Sequence, residues 1–174
     1  MGKDELVDVV NEKGEIIGEE MKSICHEKGI FHRFSGILLF NKEGKIWLQT
    51  RVSEKIGGNL LDFSASGHVA HGENYEETAY REMQEEINVN PKLKLIAKNL
   101  VENIDWEGKK IRHVFNLYSG ESEGPFTLQK EELSNIEPFN LEEVKSMINQ
   151  NQRKITKGLE VGLIEYFKQI KNEN

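Results

Sequence analysis

Residues 67–89 read GHVAHGENYEETAYREMQEEINV, and they carry the strongest pattern in the chain. Asn74 is a residue type favoured at a helix N-cap, and Glu77 stands three positions later, as in a capping box. Neither proline nor glycine interrupts residues 75–87, where good helix formers dominate. The stretch predicts a helix over 75–87 that ends at Asn88, because asparagine tolerates the left-handed conformation that ends many helices.

The predicted helix has one apolar face and one acidic face. Apolar side chains recur at spacings of three and four, which gives a single stripe made of Ala79, Tyr80, Met83 and Ile87. Glu82, Glu85 and Glu86 project from an adjoining face, since residues three and four apart lie on the same side of a helix. Arg81 lies one turn before Glu85 and can brace it.

The clustered carboxylates indicate either a cation site or a solvated surface. Like charges at this spacing weaken a helix by roughly 0.2–0.5 kcal/mol per pair. A hard divalent cation removes that penalty, and Mg²⁺ takes oxygen ligands and shares the phosphates of a substrate. For the three glutamates alone, a solvent-exposed acidic face explains the pattern equally well.

The wider spacing resembles a known family motif. The fixed positions of the stretch are Gly67, Glu73, Arg81, Glu82, Glu85, Glu86 and Val89. They resemble the Nudix box, G-x5-E-x7-R-E-U-x-E-E-x-G-U, where U is an aliphatic residue. One position departs, because the last glycine of the motif is Asn88 here. Asparagine can adopt a positive φ, so this change leaves the helix end intact and removes no chemical ligand.

The resemblance implies a set of metal ligands. Glutamates matching Glu82 and Glu86 are the principal ligands in Nudix enzymes, and Glu85 is a further ligand or holds a metal-bound water. A backbone carbonyl near Ser66 or Gly67 often completes the shell. The implied cofactor is Mg²⁺, with Mn²⁺ as a substitute.

The resemblance also implies the remaining catalytic roles. Glu73 pairs with Arg81 and orients the cluster. One glutamate that does not bind metal usually acts as the base: Glu85 is the candidate inside the box, and Glu131 and Glu132 are candidates in a later loop. For these last two, a solvated loop is an equally simple explanation.

The reaction implied by the resemblance is hydrolysis of a nucleoside diphosphate linked to a group X, or of a related organic diphosphate. Arg51, at the end of a predicted strand, is a candidate contact for substrate phosphate because its guanidinium is a fork of donors; a surface salt bridge is the alternative. Lys55 is a weaker candidate. His68, directly after Gly67, is either a substrate-binding group or an ordinary polar residue.

A finer resemblance covers residues 5–145. The segments VDVVNEKGEIIG (7–18), ICHEKGIFHR (24–33), ILLFNKEGKIWLQTR (37–51) and SASGHV (64–69) resemble the isopentenyl-diphosphate-isomerase-like branch of the superfamily. In isomerases of that branch a catalytic cysteine precedes the box glycine, where Ser66 stands here. Their histidine-rich metal site is completed by two glutamates, whose positions we assign to Gly108 and Lys110. The site's three histidines match His26, His32 and His68.

Three functions therefore stay open. The leading prediction is a hydrolase acting on phosphoric anhydride bonds. A non-catalytic ligand-binding Nudix domain is the alternative from another class, although this chain keeps every box carboxylate. Isomerase activity is disfavoured, because a serine hydroxyl is far less acidic than a thiol.

Composition agrees with one globular domain. The chain has 174 residues, 37% hydrophobic and 30% charged, and a net charge of −7, which disfavours general nucleic-acid binding. Cys25 is the only cysteine, which excludes an intrachain disulfide and favours a cytoplasmic location. No apolar run approaches the length of about 18 residues that a membrane span needs, so no membrane association is expected. The partner expected is a small nucleotide or other diphosphate. A homodimer through the N-terminal hairpin or the C-terminal helix stays open.

The chain predicts one domain over 1–174, with a hairpin extension over 1–30, the Nudix box over 67–89 and helices within 141–171. Strands are predicted over 6–10, 15–18, 35–40, 45–51, 61–69, 93–101 and 111–119, helices over 21–28, 75–87, 141–149 and 157–171, and loops over 52–60 and 120–138. This order is typical of an α+β or α/β sandwich. The Nudix resemblance implies an α/β/α sandwich around a mixed sheet.

Overall fold

The computed structural model describes residues 3–150 and 154–173. Within them the strands are β1 (Leu6–Val10), β2 (Ile16–Met21), β3 (His32–Phe40), β4 (Ile46–Arg51), β5 (Leu61–Asp62), β6 (Ala65–His68), β7 (Lys94–Trp106), β8 (Lys109–Glu121) and β9 (Leu133–Phe139). The helices are α1 (Lys22–Lys28), α2 (Tyr75–Ile87), α3 (Leu141–Asn149) and α4 (Lys157–Glu173). The architecture is a mixed sheet with helices packed on both of its faces, which confirms the predicted fold class.

Strand β3 is the centre of the sheet. It runs parallel to β8 along its whole length, from the pair His32 and His113 to the pair Phe40 and Glu121. It is antiparallel to β1, β4 and β6. A strand buried on both faces reads as a near-continuous apolar run, and β3 is buried at eight of its nine residues.

Helix α2 covers one face of this sheet. The Asn74 side chain accepts a hydrogen bond from the backbone N–H of Glu77 at 2.9 Å, and Glu77 accepts one from the N–H of Asn74 at 3.0 Å, so the predicted capping box is present. Asn88 ends the helix with φ 55° and ψ 47°, in the left-handed region. The helix bounds and both of its ends agree with the prediction.

Two apolar cores lie on opposite sides of the sheet. On the α2 side, Ala79, Met83 and Ile87 pack against Ile37 and Leu39. The core on the α3 and α4 side contains Phe34, Leu38, Phe63, Phe115, Leu117, Val144, Leu159 and Leu163. Because each fully buried large apolar side chain contributes about 1.5–3 kcal/mol, these two cores hold the layers together.

The segment 61–69 corrects one prediction, because it forms two short strands rather than one. The break falls between Asp62 and Ala65, where the Ser64 hydroxyl donates to the Trp47 carbonyl and accepts from the Leu39 N–H at 2.7 Å. A side chain that bonds to the backbone in this way competes with the regular ladder. The ring of Phe63 is buried beneath Gly36, where an added Cβ would lie 2.7 Å from it.

The segment 120–138 corrects another, because it is not all loop. Strand β9 pairs antiparallel with β4, from Leu133 opposite Arg51 to Phe139 opposite Ile46. Its polar composition and Pro138 conceal the strand from a hydrophobic pattern, as is common for strands at a sheet edge. Strands β3, β7 and β8 are also longer than predicted.

Within the described part of the chain, none of the helices combines the length and the apolar character needed to cross a lipid bilayer.

Candidate metal centres and substrate cavity

The box glycine allows helix α2 to approach strand β6. A Cβ added at Gly67 would lie only 2.0 Å from Oε1 of Glu82, so this carboxylate occupies the space that any other side chain at position 67 would take. Glu82 is thereby held against the strand, and 15% of its side chain is exposed.

Arg81 connects the acidic residues of the box. Its Nε lies 2.8 Å and its Nη2 2.9 Å from the two carboxylate oxygens of Glu73. Its Nη1 lies 2.9 Å from Glu82 and 3.3 Å from Glu85. The hydrogen bonds from Arg81 lower the pKa of Glu73 to about 2, so Glu73 is ionised at neutral pH. The predicted pairing of Glu73 with Arg81 is confirmed.

Burial makes the charge on Glu82 and Glu86 costly. Burial raises the pKa of Glu82 to about 7, against the opposing effect of Arg81. The pKa of Glu86 lies well above its usual range, because of burial and then because of the charge on Glu82. Glu86 accepts a hydrogen bond from the backbone N–H of Ser66 at 2.7 Å, and the amide of Gln49 lies 3.4 Å away. A cation between such groups would favour their ionised form.

The three box carboxylates are not gathered into one tight set. Glu85 is half exposed, whereas Glu86 is buried on the strand side of the helix. In the described ranges, the only set of three or more His, Cys, Asp or Glu ligand atoms that all lie within 4.8 Å of one another is formed by histidines. The oxygen donors fit a hard cation that is also held by substrate and water, as Mg²⁺ is.

The other predicted site residues are engaged in ion pairs. Arg51 donates to the Ile56 carbonyl at 2.6 Å and to Asp62 at 2.9 Å. Lys55 and Glu132 are paired with each other at 2.8 Å, at the side of β4 where β9 begins. The structure therefore brings Lys55 and Glu132 together, and both side chains are one third exposed. Glu131 is exposed.

A cavity of about 300 Å³ lies on the sheet face opposite α2. Its charged and polar lining includes Arg51, His68, Glu102, His113 and Lys157, and its apolar lining comes largely from strands β3, β7 and β8 and from helix α3. Arg51, the predicted phosphate contact, faces this cavity beside Asp62. None of the box glutamates is among the described residues that line it.

Four imidazoles form a cluster at one end of the cavity. His26 comes from α1, His32 from β3, His68 from β6 and His113 from β8. Three of them are the histidines identified by the finer resemblance. The fourth, His113, was not identified from the sequence. Gly108 and Lys110, the positions assigned to the two isomerase glutamates, lie outside this cluster. Gly108 lies in the turn between β7 and β8 with φ +81°, and Lys110 is exposed.

Strand register explains why His113 could not be placed from the sequence. His113 stands opposite His32 in the parallel pairing of β3 and β8, and opposite Glu102 in the antiparallel pairing of β7 and β8. His113 Nδ1 lies 2.8 Å from Glu102. A shift in pairing changes which residues face one another, and the spacing of His113 and Glu102 in the sequence contains no motif that specifies the pairing.

Burial keeps the cluster neutral. It lowers the pKa values of His26, His32 and His113 to about 3, and that of His68 well below its ordinary value. Neutral imidazole is the form that binds metals. Burial also raises the pKa of Glu102 to about 7.

Cys25 is a fully buried thiol whose pKa burial raises to about 11. A thiol is nucleophilic as thiolate, so this burial leaves Cys25 without nucleophilic character at neutral pH.

Comparisons with known proteins identify the family. The model of the NUDIX domain matches residues 31–159. An uncharacterised Nudix hydrolase of Escherichia coli K12, YfcD, is 32% identical over 135 residues, 76% of this chain and 72% of that protein. An uncharacterised Nudix hydrolase of a Nostoc species is 36% identical over 87 residues, 49% of this chain and about half (52%) of that protein.

Solved structures show the same fold. The crystal structure of DR0079 from Deinococcus radiodurans has a TM-score of 0.75 at 23% identity and covers 93% of this chain and 99% of that one. The NUDIX domain of Shewanella oneidensis NrtR, complexed with ADP ribose, has a TM-score of 0.61 at 17% identity, over 79% of this chain and 86% of that one. With the box geometry and the matched domain together, the chain belongs to the Nudix hydrolase family.

Proposed function

We propose that the protein is a Mg²⁺-dependent Nudix pyrophosphohydrolase that cleaves a nucleoside diphosphate linked to X, or a related organic diphosphate. One observation carries the proposal: Glu82, which is largely buried, fills the space beside Gly67, and the buried Glu86 accepts a hydrogen bond from the backbone N–H of Ser66. Removing two acidic groups of one helix from water is unfavourable unless they are protonated or a cation compensates their charge.

The residues present fit a divalent cation, which Nudix hydrolases generally use. Glu82 and Glu86 would hold it, with Glu85 and the carbonyl of Gly67 as further oxygen donors. When bound, the cation neutralises charge on the diphosphate and lowers the pKa of a bound water. Mg²⁺ is the expected ion, and Mn²⁺ the substitute, because the donors are all oxygen.

The other residues act by position and charge. Arg81, anchored by both oxygens of Glu73, keeps Glu82 in place and compensates part of its charge. Glu85 reaches solvent and is our candidate for the base that takes the proton of the attacking water; Glu132 is the alternative, although Lys55 is paired with it. Arg51 stays our candidate contact for substrate phosphate, although Asp62 is paired with it at 2.9 Å.

Two relatives in structure guide the choice of substrates. The NrtR domain was solved with ADP ribose, and another similar structure, with a TM-score of 0.57 at 18% identity, is a Caenorhabditis elegans Ap4A hydrolase. We therefore include nucleoside diphosphates joined to a sugar or to a second nucleotide among the candidate substrates. Cytoplasmic location and homodimer formation stay predictions.

Membership of the isomerase-like branch is also a proposal. It is supported by the meeting of His26, His32 and His68, the three histidines that the resemblance pointed to. The isomerase reaction itself is disfavoured by Ser66 in place of the cysteine. A hydrolase on that branch satisfies both observations.

The test is a substrate panel with Mg²⁺ or Mn²⁺: nucleotide sugars, nucleoside di- and triphosphates, dinucleoside polyphosphates, coenzymes and isoprenoid diphosphates, followed by release of phosphate and monophosphates. We expect hydrolysis of at least one diphosphate, and a loss of about 10³-fold or more in Glu86→Gln. Binding of a panel member without turnover would favour a ligand-binding domain, and isomerisation of an isoprenoid diphosphate would favour the other alternative.

A further inference from the structure

The N-terminal hairpin, made of strands β1 and β2, precedes the part of the chain that the NUDIX model matches. It is joined to the segment 70–73, which leads into the box helix α2. Val7 forms an isolated antiparallel bridge with Ala70, and the backbone N–H of His71 donates to the carbonyl of Leu6 at 2.9 Å. The hairpin therefore shares backbone contacts with the residues that come directly before the acidic helix.

A buried ion pair connects the hairpin to the central strand at the same point. Nη2 of Arg33, on β3, donates to Oδ2 of Asp8, on β1, and each of the two side chains is 7% exposed. The Asp8 carboxylate also lies 2.7 Å from Nδ1 of His71 and accepts from the backbone N–H of Gly72 at 3.4 Å. Because removing one member of a buried ion pair leaves the other charge uncompensated, the position of Arg33 is coupled to that of the hairpin.

The same nitrogen of Arg33 also reaches the box. Nη2 donates a hydrogen bond of 2.8 Å to the backbone carbonyl of Glu73. The guanidinium lies over the ring of Tyr75, the first residue of α2, with 5.4 Å between Cζ and the ring centroid. Arg33 therefore contacts both the residue that carries the Glu73 carboxylate and the start of the helix, and this limits how far either can shift.

Glu73 connects this contact to the acidic face of α2. Its carboxylate accepts from Nε and Nη2 of Arg81, and Nη1 of Arg81 donates to Glu82 at 2.9 Å. Hydrogen bonds between charged partners are stronger than neutral ones, so each member of the series restrains the next. The series consists of Asp8, Arg33, Glu73, Arg81 and Glu82.

We propose that Arg33, anchored by Asp8, is a positioning residue for the box: it holds Glu73, and through Arg81 it holds Glu82 where a cation and substrate bind. The inference rests on the proposed function, in which Glu82 holds the cation. It gives the N-terminal hairpin a part in catalysis, since β1 supplies Asp8 from a segment that precedes the matched domain.

The experiments use a matched pair of variants of the full chain. Arg33→Met removes the donor to Glu73. Arg112→Met is the control, because Arg112 also donates to one carboxylate, Asp105 at 2.6 Å, and to one carbonyl, Ile104 at 2.9 Å, but at the β7–β8 hairpin. The Tm of both variants is measured first, so that every later comparison is made on folded protein.

The first readout does not depend on activity: it is the exchange of the Arg81 Nε–H with water, followed in ¹⁵N NMR spectra. This group donates to Glu73 at 2.8 Å, and its signal is assigned by its loss in Arg81→Lys. Because a weakened charge-assisted hydrogen bond protects its proton less, we expect exchange about 10-fold faster in Arg33→Met and unchanged in Arg112→Met. Unchanged exchange in Arg33→Met would overturn the proposal.

The second readout is the affinity for Mg²⁺, which is chosen because it prefers oxygen donors. Binding is followed by the amide signals of helix α2 during a titration. We expect Arg33→Met to bind Mg²⁺ about 10-fold more weakly than the wild type, the usual size of the effect of a residue that supports a metal ligand. Arg112→Met should bind as the wild type does. Equal affinity in Arg33→Met and the wild type would count against the positioning role.

The third readout is steady-state kinetics on the best substrate of the panel at saturating Mg²⁺. Arg33→Met should lower kcat about 10-fold with little change in KM, and Arg33→Lys, which keeps a cationic donor, should restore most of the loss. Combined with Glu73→Gln, Arg33→Met should cause no further loss, because both changes act on one contact. Effects that multiply in the double variant, or a lower Tm with unchanged kcat, would assign Arg33 to stability alone.

If Arg33→Met fails to fold, the double variant Asp8→Asn with Arg33→Met replaces it, because it leaves no uncompensated buried charge. It is judged by the same readouts, and wild-type Arg81 exchange and Mg²⁺ affinity in it would refute the positioning role. A wild type that hydrolyses no member of the panel refutes the proposed function, whereas the exchange of the Arg81 Nε–H still decides whether Arg33 holds Glu73.

Discussion

At the residue scale, the site is built from ionisable groups in places where their charge is costly. Burial raises the pKa of Glu82, whereas the hydrogen bonds from Arg81 lower the pKa of Glu73, which lies just before the helix. The same arginine contacts both, but Glu73 receives two hydrogen bonds from Arg81 and one from the Thr78 hydroxyl, whereas Glu82 receives one from Arg81. Arg81 thus stabilises the full negative charge of Glu73 and compensates only part of the charge of Glu82.

Glu82 gives a prediction for stability against pH. Its folded pKa, about 7, lies above the ordinary value of 4.5. A carboxyl with a raised pKa stabilises the fold below pH 4.5, and that contribution is lost as pH rises through 7. Metal-free protein should therefore lose about 1–3 kcal/mol between these limits, and Glu82→Gln should lose less.

Urea unfolding in the presence of a chelator, at pH 4.5, 6 and 8, measures this difference. The control is Glu142→Gln, an exposed residue of α3. Equal pH dependence in the wild type and Glu82→Gln would show that burial does not destabilise the charge on Glu82.

Gly67 gives a prediction for catalysis. In Gly67→Ala the new methyl group would overlap Glu82, which lies 2.0 Å from that position, so the carboxylate must move away from the strand. Because misplacing a catalytic group by about 1 Å can cost 100-fold, we expect kcat to fall by about that factor on the best panel substrate. Gly18→Ala, where an added Cβ meets no atom within 4 Å, is the control. Steady-state kinetics of both variants check it, and an unchanged kcat in Gly67→Ala would be inconsistent with a role for Glu82.

At the element scale, α2 is stabilised at its ends as well as along its apolar face. The capping box satisfies backbone donors at the first turn. Asn88 ends the helix in the left-handed conformation, which asparagine tolerates, so a glycine is not needed there. The helix must begin at a defined residue, since a shift of one position would turn Glu82 and Glu86 by about 100° away from β6.

Asn74→Ala tests the cap. Loss of the hydrogen bond to the N–H of Glu77 should lower the free energy of unfolding by about 1 kcal/mol. Asn140→Ala is the matched control, because Asn140 precedes α3 without a side-chain bond to the helix backbone, and its effect should be smaller. Denaturant unfolding measures both. An equal cost for the two variants would mean that the capping bond of Asn74 contributes nothing.

At the scale of the whole molecule, one sheet separates the box carboxylates from the four clustered histidines. Carboxylates gather on the α2 side, and imidazoles, Arg51 and the cavity on the side of α3 and α4. The two sets come closest along the sequence at Gly67, against which Glu82 packs, and His68, which belongs to the histidine cluster. The position of α4 determines the size of the cavity, because Gly158 of this helix is among the lining residues.

Gly162→Val tests how α4 is seated. An added Cβ would lie 3.0 Å from the ring of Phe63 and 3.3 Å from Leu117, so the larger side chain must push the helix from the sheet. We expect a loss of about 1–3 kcal/mol in the free energy of unfolding. Ile164→Ala, at a 38% exposed position of the same helix, should cost less than about 1 kcal/mol. A neutral Gly162→Val would show that α4 has room to shift.

The box and its helix follow from the sequence by itself. The cap at Asn74 and the stop at Asn88 rest on residues within one turn, where spacing alone defines geometry, and the pairing of Glu73 with Arg81 was implied by the family resemblance. The hairpin over β1 and β2 is predictable for the same reason. The tertiary structure alone decided the rest: β9, the engagement of Lys55 with Glu132, and the arrival of His113 and Glu102 at three other histidines. These contacts join residues far apart in the chain, and they depend on the register of β3, β7 and β8, which local sequence does not encode.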